Sequence, residues 1–588
     1  MHPVRCCGLR RSFMDTFWGS LVHLFTIANK VHMLWCIGIL VVMIALAILH
    51  HIWRKDEKKL SIWRLLCLLP FLVCVVHFLI YCLPVPMLFT SFISMYPIGL
   101  LALLPMITAK RRIGHRVMAT IVGILTGVFG IYFCLSSPHV YNFARQSYTE
   151  AFHSAVKTMD RTYILKEWKE VDFDALEAKY MPMVQEAEAA QDPAKYYDAV
   201  KLFFCELHDG HVGGMYFYDD ETYKSAYQQH EYGLAMVQLD NGDVIAVCTD
   251  DAVHKLGIED GTIITKWNGK PVLQAAEEDV AFHSAPVKAN DDRISLFNLS
   301  GVGGDTVEVT FLDKSGKEKT ETLSDLGEMH TLREAFSAFT QEPDDSDSDA
   351  YNAYWDSNFS TKMLDDKVGY LVLREEGTDN GVQDILGYLN GDHKWAREMF
   401  REKLRDLKAQ GMEYLVIDLR NNGGGLDEIA TALCDLLTDQ NDTGQNLGIR
   451  KNGKYQIVSE HGIHGDGEFA DLQVVALTNF ECLSAGDGAA LYLSKLPNVT
   501  LAGITDPCGC NMENGGHIFL SGGTVVIYYP VGLILDGNNE PNIDTRADRV
   551  SRNPVEERIP LDYDAAMKIF RDKQDYELDW AVAYLEGK

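Results

Sequence analysis

The chain has 588 residues, of which 53 are Lys or Arg and 83 are Asp or Glu, so its formal net charge is −30 at neutral pH. This length exceeds what one hydrophobic core usually organises, and it predicts several domains. Because a chain this acidic repels phosphate backbones, we do not expect nucleic acid as a partner.

Four apolar stretches open the chain, and each reaches the ~20 residues that a helix needs to cross a bilayer. They cover residues 33–53, 61–82, 87–108 and 117–135. The loops after the first and third stretches are rich in Lys and Arg, whereas the second loop carries no charge. Basic loops stay in the cytoplasm, so we expect residues 1–136 to form a multi-pass region of the cell membrane, with everything after it outside the cytoplasm.

The rest of the chain divides into four predicted segments. Apolar residues at helical spacing predict a helical domain over 140–228, and short alternating strands with turn residues predict a β-rich domain over 229–327. An acidic run makes 328–365 a predicted linker with a solvated loop. Strands and helices alternate over 366–588, where continuously apolar strands are typical of a sheet covered on both faces, so we expect an α/β core there.

Two glycine-containing turns in this core carry residues suited to chemistry. Asp418-Leu-Arg-Asn-Asn-Gly-Gly-Gly425 follows an apolar strand, and Ser484-Ala-Gly-Asp487 opens a predicted helix. Backbone N–H groups at a helix start favour an anion, either a phosphate or the oxyanion of acyl transfer. The first turn lacks the spacing and the lysine of a phosphate loop. A serine at a helix start is often only an N-cap, and it becomes a nucleophile only beside a base.

Together the two turns resemble the pattern D-L-R-x-N-x-G-G, then S-A-x-[ED], of the tail-specific, or carboxyl-terminal processing, peptidases and the tricorn core protease. The β-rich domain resembles a PDZ domain in three segments: Tyr232-Gly-Leu-Ala235, Leu256-Gly-Ile-Glu-Asp-Gly261 and Trp267-Asn-Gly-Lys-Pro-Val272. The resemblance covers roughly residues 150–588. It implies a multi-domain serine peptidase with a PDZ domain and a crotonase-like α/β core, preceded here by a four-helix transmembrane region.

The resemblance also assigns site residues by position. It places the nucleophile at Ser484 and the oxyanion hole at the N–H groups of Gly424 and Ala485. PDZ domains take extended peptide ends by adding a strand to their sheet, which implies peptide binding at Gly233 and Leu234.

For the general base the resembling family has two solutions. The processing-peptidase branch uses a lysine 25 residues after the serine, but Gly509 occupies that position here. The tricorn-like branch uses a histidine in an L-x-D-G-H context, which matches His211 in Leu207-His-Asp-Gly-His211. A histidine with a pKa near 6.5 can accept the serine proton and return it to the leaving amine. We therefore expect His211 as the base, with Lys495 as a substitute.

A tricorn-like site adds a carboxylate late in the chain. Asp536 and Glu540, in Leu535-Asp-Gly-Asn-Asn-Glu-Pro-Asn-Ile543, are the two candidates, and the spacing does not choose between them.

No metal or other cofactor is expected. His208 and His211 are three residues apart but lack an evident third ligand. The six cysteines after residue 136 include no CxxC pair and no zinc-like spacing with histidine, although their even number permits disulfides of undetermined pairing: Cys205, Cys248, Cys434, Cys482, Cys508 and Cys510.

These features are interpreted as a membrane-anchored serine endopeptidase that cleaves extended or carboxyl-terminal segments of polypeptides outside the cytoplasm. The alternative is a catalytically silent PDZ-containing receptor or scaffold that binds protein ends, and the absence of the family lysine favours it.

Overall fold

The structure is a computed structural model. It describes residues 30–53, 55–77, 140–216, 229–278, 285–327, 330–344, 346–377, 394–451, 454–523 and 525–587, together with positions 79, 121 and 124.

Three helices form the described part of the N-terminal region: α1 (Lys30–Trp53), α2 (Glu57–Leu66) and α3 (Leu69–His77). The carboxylate of Asp56 caps α2 by accepting the N–H groups of Lys58 and Lys59. The indole N–H of Trp63 donates to the carbonyl of Leu46 across the hairpin at 2.7 Å. The outward faces carry exposed apolar side chains: Val41, Ile44, Ile48, Ile52, Ile62, Leu65, Leu69, Leu72 and Val76.

The prediction of four membrane spans is wrong for the described residues. One segment, Glu57–His77, is long and apolar enough to cross a membrane, and Ile37–Trp53 is a shorter apolar helix. The predicted spans at 87–108 and 117–135 lie outside the described residues. One such segment is weak support for a membrane span, because a buried core helix or a signal sequence meets the same criteria.

The helical segment is a layer on a sheet of the peptidase core. Its helices are α4 (Tyr148–Thr162), α5 (Phe173–Ala190) and α6 (Pro193–Cys205), and its strands are β1 (Val140–Asn142) and β2 (Gly213–Tyr216). Both strands pair with strands from far along the chain: β1 is parallel to Met512–Phe519, and β2 is antiparallel to Val525–Leu535. One apolar cluster joins the helices to these strands.

The β-rich module, which we define as residues 230–325, contains two small sheets. Its elements are β3 (Ala235–Gln238), β4 (Val244–Val247), α7 (Asp251–His254), β5 (Ile264–Trp267), β6 (Lys270–Pro271), α8 (Val272–Glu278), α9 (Lys288–Leu299), β7 (Thr306–Leu312) and β8 (Glu318–Ser324). β3 pairs with β4, and the other strands follow the order β6-β5-β7-β8.

The core is an α/β unit, as predicted. Its central sheet has the order β18-β15-β14-β11-β10-β9 and is parallel apart from β9. Its strands are β9 (Thr361–Met363), β10 (Val368–Val372), β11 (Tyr414–Asp418), β14 (Gln473–Leu477), β15 (Val499–Gly503) and β18 (Glu557–Arg558). Apolar clusters cover both faces, which explains why these strands are continuously apolar.

A second sheet packs under the helical layer in the order β1-β16-β17-β12-β13, with β2 also on β17. Its remaining strands are β12 (Asn441–Lys451), β13 (Lys454–His464), β16 (Met512–Phe519) and β17 (Val525–Leu535). The remaining helices are α10 (Thr331–Thr340), α11 (Ser348–Asp356), α12 (Lys394–Ala409), α13 (Asp427–Leu437), α14 (Ala485–Ser494), α15 (Tyr563–Ala566) and α16 (Tyr576–Gly587).

The sheet register brings the two predicted turns together. β11 and β14 are parallel neighbours, with Asp418 opposite Leu477 at their carboxyl ends. The loop after β11 and the loop after β14 therefore leave the sheet side by side, at the edge where open α/β sheets bind ligands.

Candidate active site

Ser484 lies at the junction between the β14 loop and α14. Its φ is 58° and its ψ is −130°, a positive φ that costs a non-glycine residue about 1–3 kcal/mol and recurs at functional sites. The backbone is held on both sides, because the Ser484 N–H donates to the Cys510 carbonyl at 2.9 Å and the Ser484 carbonyl accepts the Gly488 N–H at 3.0 Å. The side chain does not cap α14. The interpretation of Ser484 as a plain N-cap is therefore wrong.

The glycine turn after β11 packs directly against Ser484. Gly424 has a φ of +93°, and a Cβ there would lie 2.6 Å from the Ser484 Cβ and 2.8 Å from the Ala485 nitrogen. Only glycine fits so close an approach. The Leu483 N–H also donates to the Asn422 carbonyl at 2.9 Å, which ties the two loops together.

The two predicted oxyanion donors differ in whether their N–H groups already have an acceptor. The Ala485 N–H begins α14 and has no acceptor among the described residues, as expected for the first N–H groups of a helix. The Gly424 N–H instead donates to the Asn422 side-chain oxygen at 2.9 Å. An oxyanion held by both groups would have to replace that bond.

The Asp-Leu-Arg part of the motif is a buried ion network. The Asp418 carboxylate contacts Arg374 at 3.0 Å and Arg420 at 2.9 Å, and Arg420 extends to Asp575 at 2.6 Å. Burial alone would raise the pKa of Asp418, but the two guanidinium groups hold it well below its usual range. The Asp418 carboxylate bonds the two arginines and the Tyr370 hydroxyl, so its role is to position the start of the loop that follows β11.

Asn422 is oriented by a buried glutamic acid. Its amide nitrogen donates to Glu376 Oε1 at 2.8 Å and to the Leu373 carbonyl at 3.0 Å. Burial raises the pKa of Glu376 to about 8, so this carboxyl group is mainly protonated at neutral pH.

Glu376→Gln should therefore stabilise the protein at alkaline pH. The Glu376 carboxyl group keeps its proton in the folded protein, whereas in the unfolded chain it releases the proton above pH 4.5. The free energy of unfolding therefore falls as pH rises from 4.5 to about 8. Glutamine keeps the acceptor for Asn422 without that cost. We expect the variant to gain up to about 4 kcal/mol over the native protein at pH 8.5 and nothing at pH 4.5, measured by urea unfolding. Parallel stability curves for the two proteins would contradict the assignment.

His211 lies in the turn between α6 and β2. The Asp209 carboxylate accepts the His211 backbone N–H at 2.8 Å and the Tyr163 hydroxyl at 2.5 Å, which fixes this turn. The imidazole is buried, and neither ring nitrogen forms a hydrogen bond to a described residue. The Cys510 thiol lies close enough to interact with the ring. Since Ser484 donates its backbone N–H to Cys510, the histidine and the serine flank the same residue.

Opposing effects set the pKa of His211. Burial lowers it, whereas Cys510 and Asp209 raise it, and the balance lies above 6.5. The neighbouring Cys508 and burial raise the pKa of the Cys510 thiol well above 9, so this thiol is protonated at neutral pH.

The segment Cys508–Cys510 occupies the place where a related peptidase would carry its lysine. Gly509 has a φ of +87°, and a Cβ there would lie 2.6 Å from Val287 Cγ2. A lysine would be strained and would clash at this position. Asp487, the last residue of Ser484-Ala-Gly-Asp487, accepts the N–H groups of Gly509 at 2.6 Å and Cys510 at 2.9 Å. This aspartate therefore positions the segment.

The two predicted late acids lie in a solvent-facing turn. The Asp536 carboxylate accepts the N–H groups of Asn538 and Glu540, and Glu540 is exposed. The buried acid of this stretch is Asp544, whose Oδ2 has no partner among the described residues. Burial, followed by the nearby Asp209, raises the pKa of Asp544 well above its usual range. Sequence reasoning missed Asp544, although it follows the apolar Ile543, whereas Asp536–Glu540 has the composition of a turn.

The remaining predicted residues are Lys495, Gly233 and Leu234. Lys495 ends α14 and its Nζ lies 3.3 Å from Asp442, at the opposite end of the helix from Ser484. The Gly233 N–H donates to Glu231 Oε1 at 2.7 Å, and the Leu234 side chain is fully buried in the β-rich module. The Gly233 turn thus satisfies its own N–H with an internal carboxylate.

Residues 367–544 match the family model described as Peptidase family S41. Among solved structures, the chain is similar to mature CPAF complexed with lactacystin, at 13% identity over 75% of this chain and 97% of that one, with a TM-score of 0.47. It is also similar to the photosystem II D1 C-terminal processing protease (16% identity, 74% and 99%, TM-score 0.32) and to the tricorn protease (15%, 75% and 37%, 0.31). No curated protein matches the chain.

The matched segment contains both turns, from Asp418 to Gly425 and from Ser484 to Asp487. The protein is a serine-type peptidase. The match of residues 367–544 to the S41 model confirms the predicted enzyme class.

Proposed function

We propose that this chain is a membrane-anchored serine endopeptidase that cleaves extended or carboxyl-terminal segments of proteins outside the cytoplasm. The observation that carries the proposal is the position of Ser484. It has a strained backbone at a helix start, an adjacent N–H on Ala485 without an acceptor among the described residues, and a buried histidine on the other side of Cys510.

In the proposed mechanism the Ser484 hydroxyl attacks the peptide carbonyl while His211 takes its proton. The carbonyl oxygen becomes an oxyanion that accepts the Ala485 N–H, and the Gly424 N–H joins when the bond to Asn422 opens. His211 then gives the proton to the leaving amine, which breaks the peptide bond and leaves an acyl-enzyme. Water hydrolyses this ester, with His211 again acting as the base.

Asp544 replaces Asp536 and Glu540 as the proposed acid of the site. It is buried, its Oδ2 has no partner among the described residues, and the nearby Asp209 in the turn of His211 helps to raise its pKa. Carboxylates in a solvated turn shift the pKa of a histidine less than buried carboxylates do. Asp209, which accepts the His211 backbone N–H, is therefore proposed to fix that turn and to stabilise the charged imidazole, with Asp544 as the buried acid next to it.

The anchoring part of the proposal rests on the N-terminal helices. The exposed side chains of α1 and α3 are mostly apolar, which suits contact with lipid, whereas the charged residues of α2 are concentrated in its first turn. The basic loops predicted to be cytoplasmic support an orientation in which the peptidase lies outside.

Substrate capture is proposed at the β-rich module. Among the described strands, β3 pairs with β4 alone, so we place the added strand along the other edge of β3. Because Glu231 already occupies the Gly233 N–H, an extended segment fits this edge better than capture of a free terminal carboxylate at that turn.

A fluorophosphonate probe tests the proposal. The full-length protein in detergent should be labelled at Ser484 and should cleave an unstructured protein, both read by mass spectrometry, and Ser484→Ala should lose both. If the peptide binds equally to native protein and variant with no labelling and no cleavage, the silent receptor is the correct interpretation.

A further inference from the structure

The strongest feature that the proposed mechanism does not use is a pair of thiols beside the base. Cys508 and Cys510 are both buried, and their Sγ atoms lie 3.4 Å apart. A Cβ on Gly210, the neighbour of His211, would lie 2.5 Å from Cys510 Sγ and 3.1 Å from Cys508 Sγ. The glycine therefore makes room for both sulfur atoms against the turn that carries the base.

We propose that Cys508 and Cys510 are a thiol–disulfide modification site, and that forming their disulfide activates the peptidase. The activity part of this inference rests on the proposed function of Ser484 and His211. The disulfide itself does not.

The reduced pair is expected to restrain His211. A thiol is a much stronger acid than a serine hydroxyl, so an imidazole that contacts both interacts preferentially with the thiol. In this structure the thiol of Cys510 interacts with the ring, and neither ring nitrogen has a hydrogen bond to a described residue. Removing the Cys510 hydrogen leaves Ser484 as the donor for His211.

The oxidation balances with a low-molecular-weight disulfide as the oxidant. Cys508 retains 8% exposure and Cys510 only 1%, so the Cys508 thiolate attacks the small disulfide first and releases one thiol. His211 then takes the proton of Cys510, whose thiolate attacks Cys508 Sγ across the 3.4 Å gap, and returns it to the departing sulfur, which is released as the second thiol. Two thiols are oxidised to one disulfide, and the small disulfide is reduced to two thiols.

The backbone is held for this reaction. Asp487 accepts both N–H groups of the segment, and the Cys510 carbonyl accepts the Ser484 N–H. Gly509 supplies the positive φ that the short loop between the two cysteines requires. Disulfide formation is therefore expected to move side chains without displacing Ser484.

The experiment compares the full-length protein in dithiothreitol and in oxidised glutathione. We expect peptide mapping to show a Cys508–Cys510 disulfide only in the oxidised sample, and the rate of fluorophosphonate labelling to rise about tenfold once the thiol no longer competes with Ser484 for the imidazole.

Single variants separate the two thiols. Cys508→Ala should be labelled slowly under both conditions, because Cys510 then has no second cysteine with which to form the disulfide and stays a thiol. Cys510→Ala should be labelled rapidly under both conditions. Cys434→Ala, which lies on α13 in another apolar cluster, should keep the native response to oxidation.

Three outcomes would overturn the inference: no disulfide between these cysteines, a disulfide without faster labelling, or a redox response that persists in Cys508→Ala. An absence of labelling in both redox states would instead overturn the proposed function, together with the activating role, and peptide mapping would still report the disulfide.

Discussion

Alanine at Ser484 or at His211 is expected to lower kcat/KM for cleavage of an unstructured protein by at least about 10³-fold. Without Ser484 no acyl-enzyme forms, and without His211 the hydroxyl keeps its proton at neutral pH. Because the two residues act in one proton transfer, the double variant should be no worse than Ser484→Ala alone. The measurement is the initial rate of product formation, read by intact-mass spectrometry.

Matched controls exist for both substitutions. Ser494→Ala changes the last residue of α14, and His153→Ala changes a half-exposed histidine on α4 that pairs with Glu177. Both should cleave at close to the native rate. If Ser484→Ala is inactive while His211→Ala keeps most of its activity, His211 is not the base.

Asp418→Ala is expected to destabilise the protein by about 3–5 kcal/mol. The substitution leaves Arg374 and Arg420 buried without their shared carboxylate, and it removes the acceptor of the Tyr370 hydroxyl at 2.6 Å. An uncompensated buried charge costs far more than a lost surface pair. The measurement is the change in free energy of unfolding in urea at pH 7.

The pH dependence of this network gives a second measure. The pKa of Asp418 is held well below 3.8, so its contribution is fully present above about pH 3.8 and is lost only as pH falls through the lower, folded-state value. Asp471→Ala is the matched control, because its exposed pair with Lys408 should contribute at most about 1 kcal/mol. A loss at Asp418 no larger than at Asp471 would show that the network does not hold the loop.

The candidate site could be predicted only in part from sequence. The turns at 418–425 and 484–487 were found because a glycine-rich turn between an apolar strand and a helix has a local signature. Their proximity follows from two adjacent parallel strands. Asp544 was missed because nothing local distinguishes a buried carboxylate from a solvated one, and its environment is formed by Asp209 and Asn511, each distant in sequence.

The membrane prediction illustrates the same limit. Apolar stretches of sufficient length are necessary for spans, but the described residues contain one candidate, Glu57–His77, where two were expected. Helix breaks and packing between α1 and α2 depend on contacts such as that between Trp63 and Leu46. Hydropathy does not encode those contacts.

The sequence by itself determined the α/β core, the place of Ser484, the absence of a lysine at Gly509 and the class of serine peptidase, because each depends on local composition or spacing. The tertiary structure alone decided that the helical segment contributes β1 and β2 to a core sheet, and that the thiol of Cys510 lies beside His211. Both depend on pairing between residues about 300 to 380 positions apart, and the energy of such contacts comes from burial that only the folded chain creates.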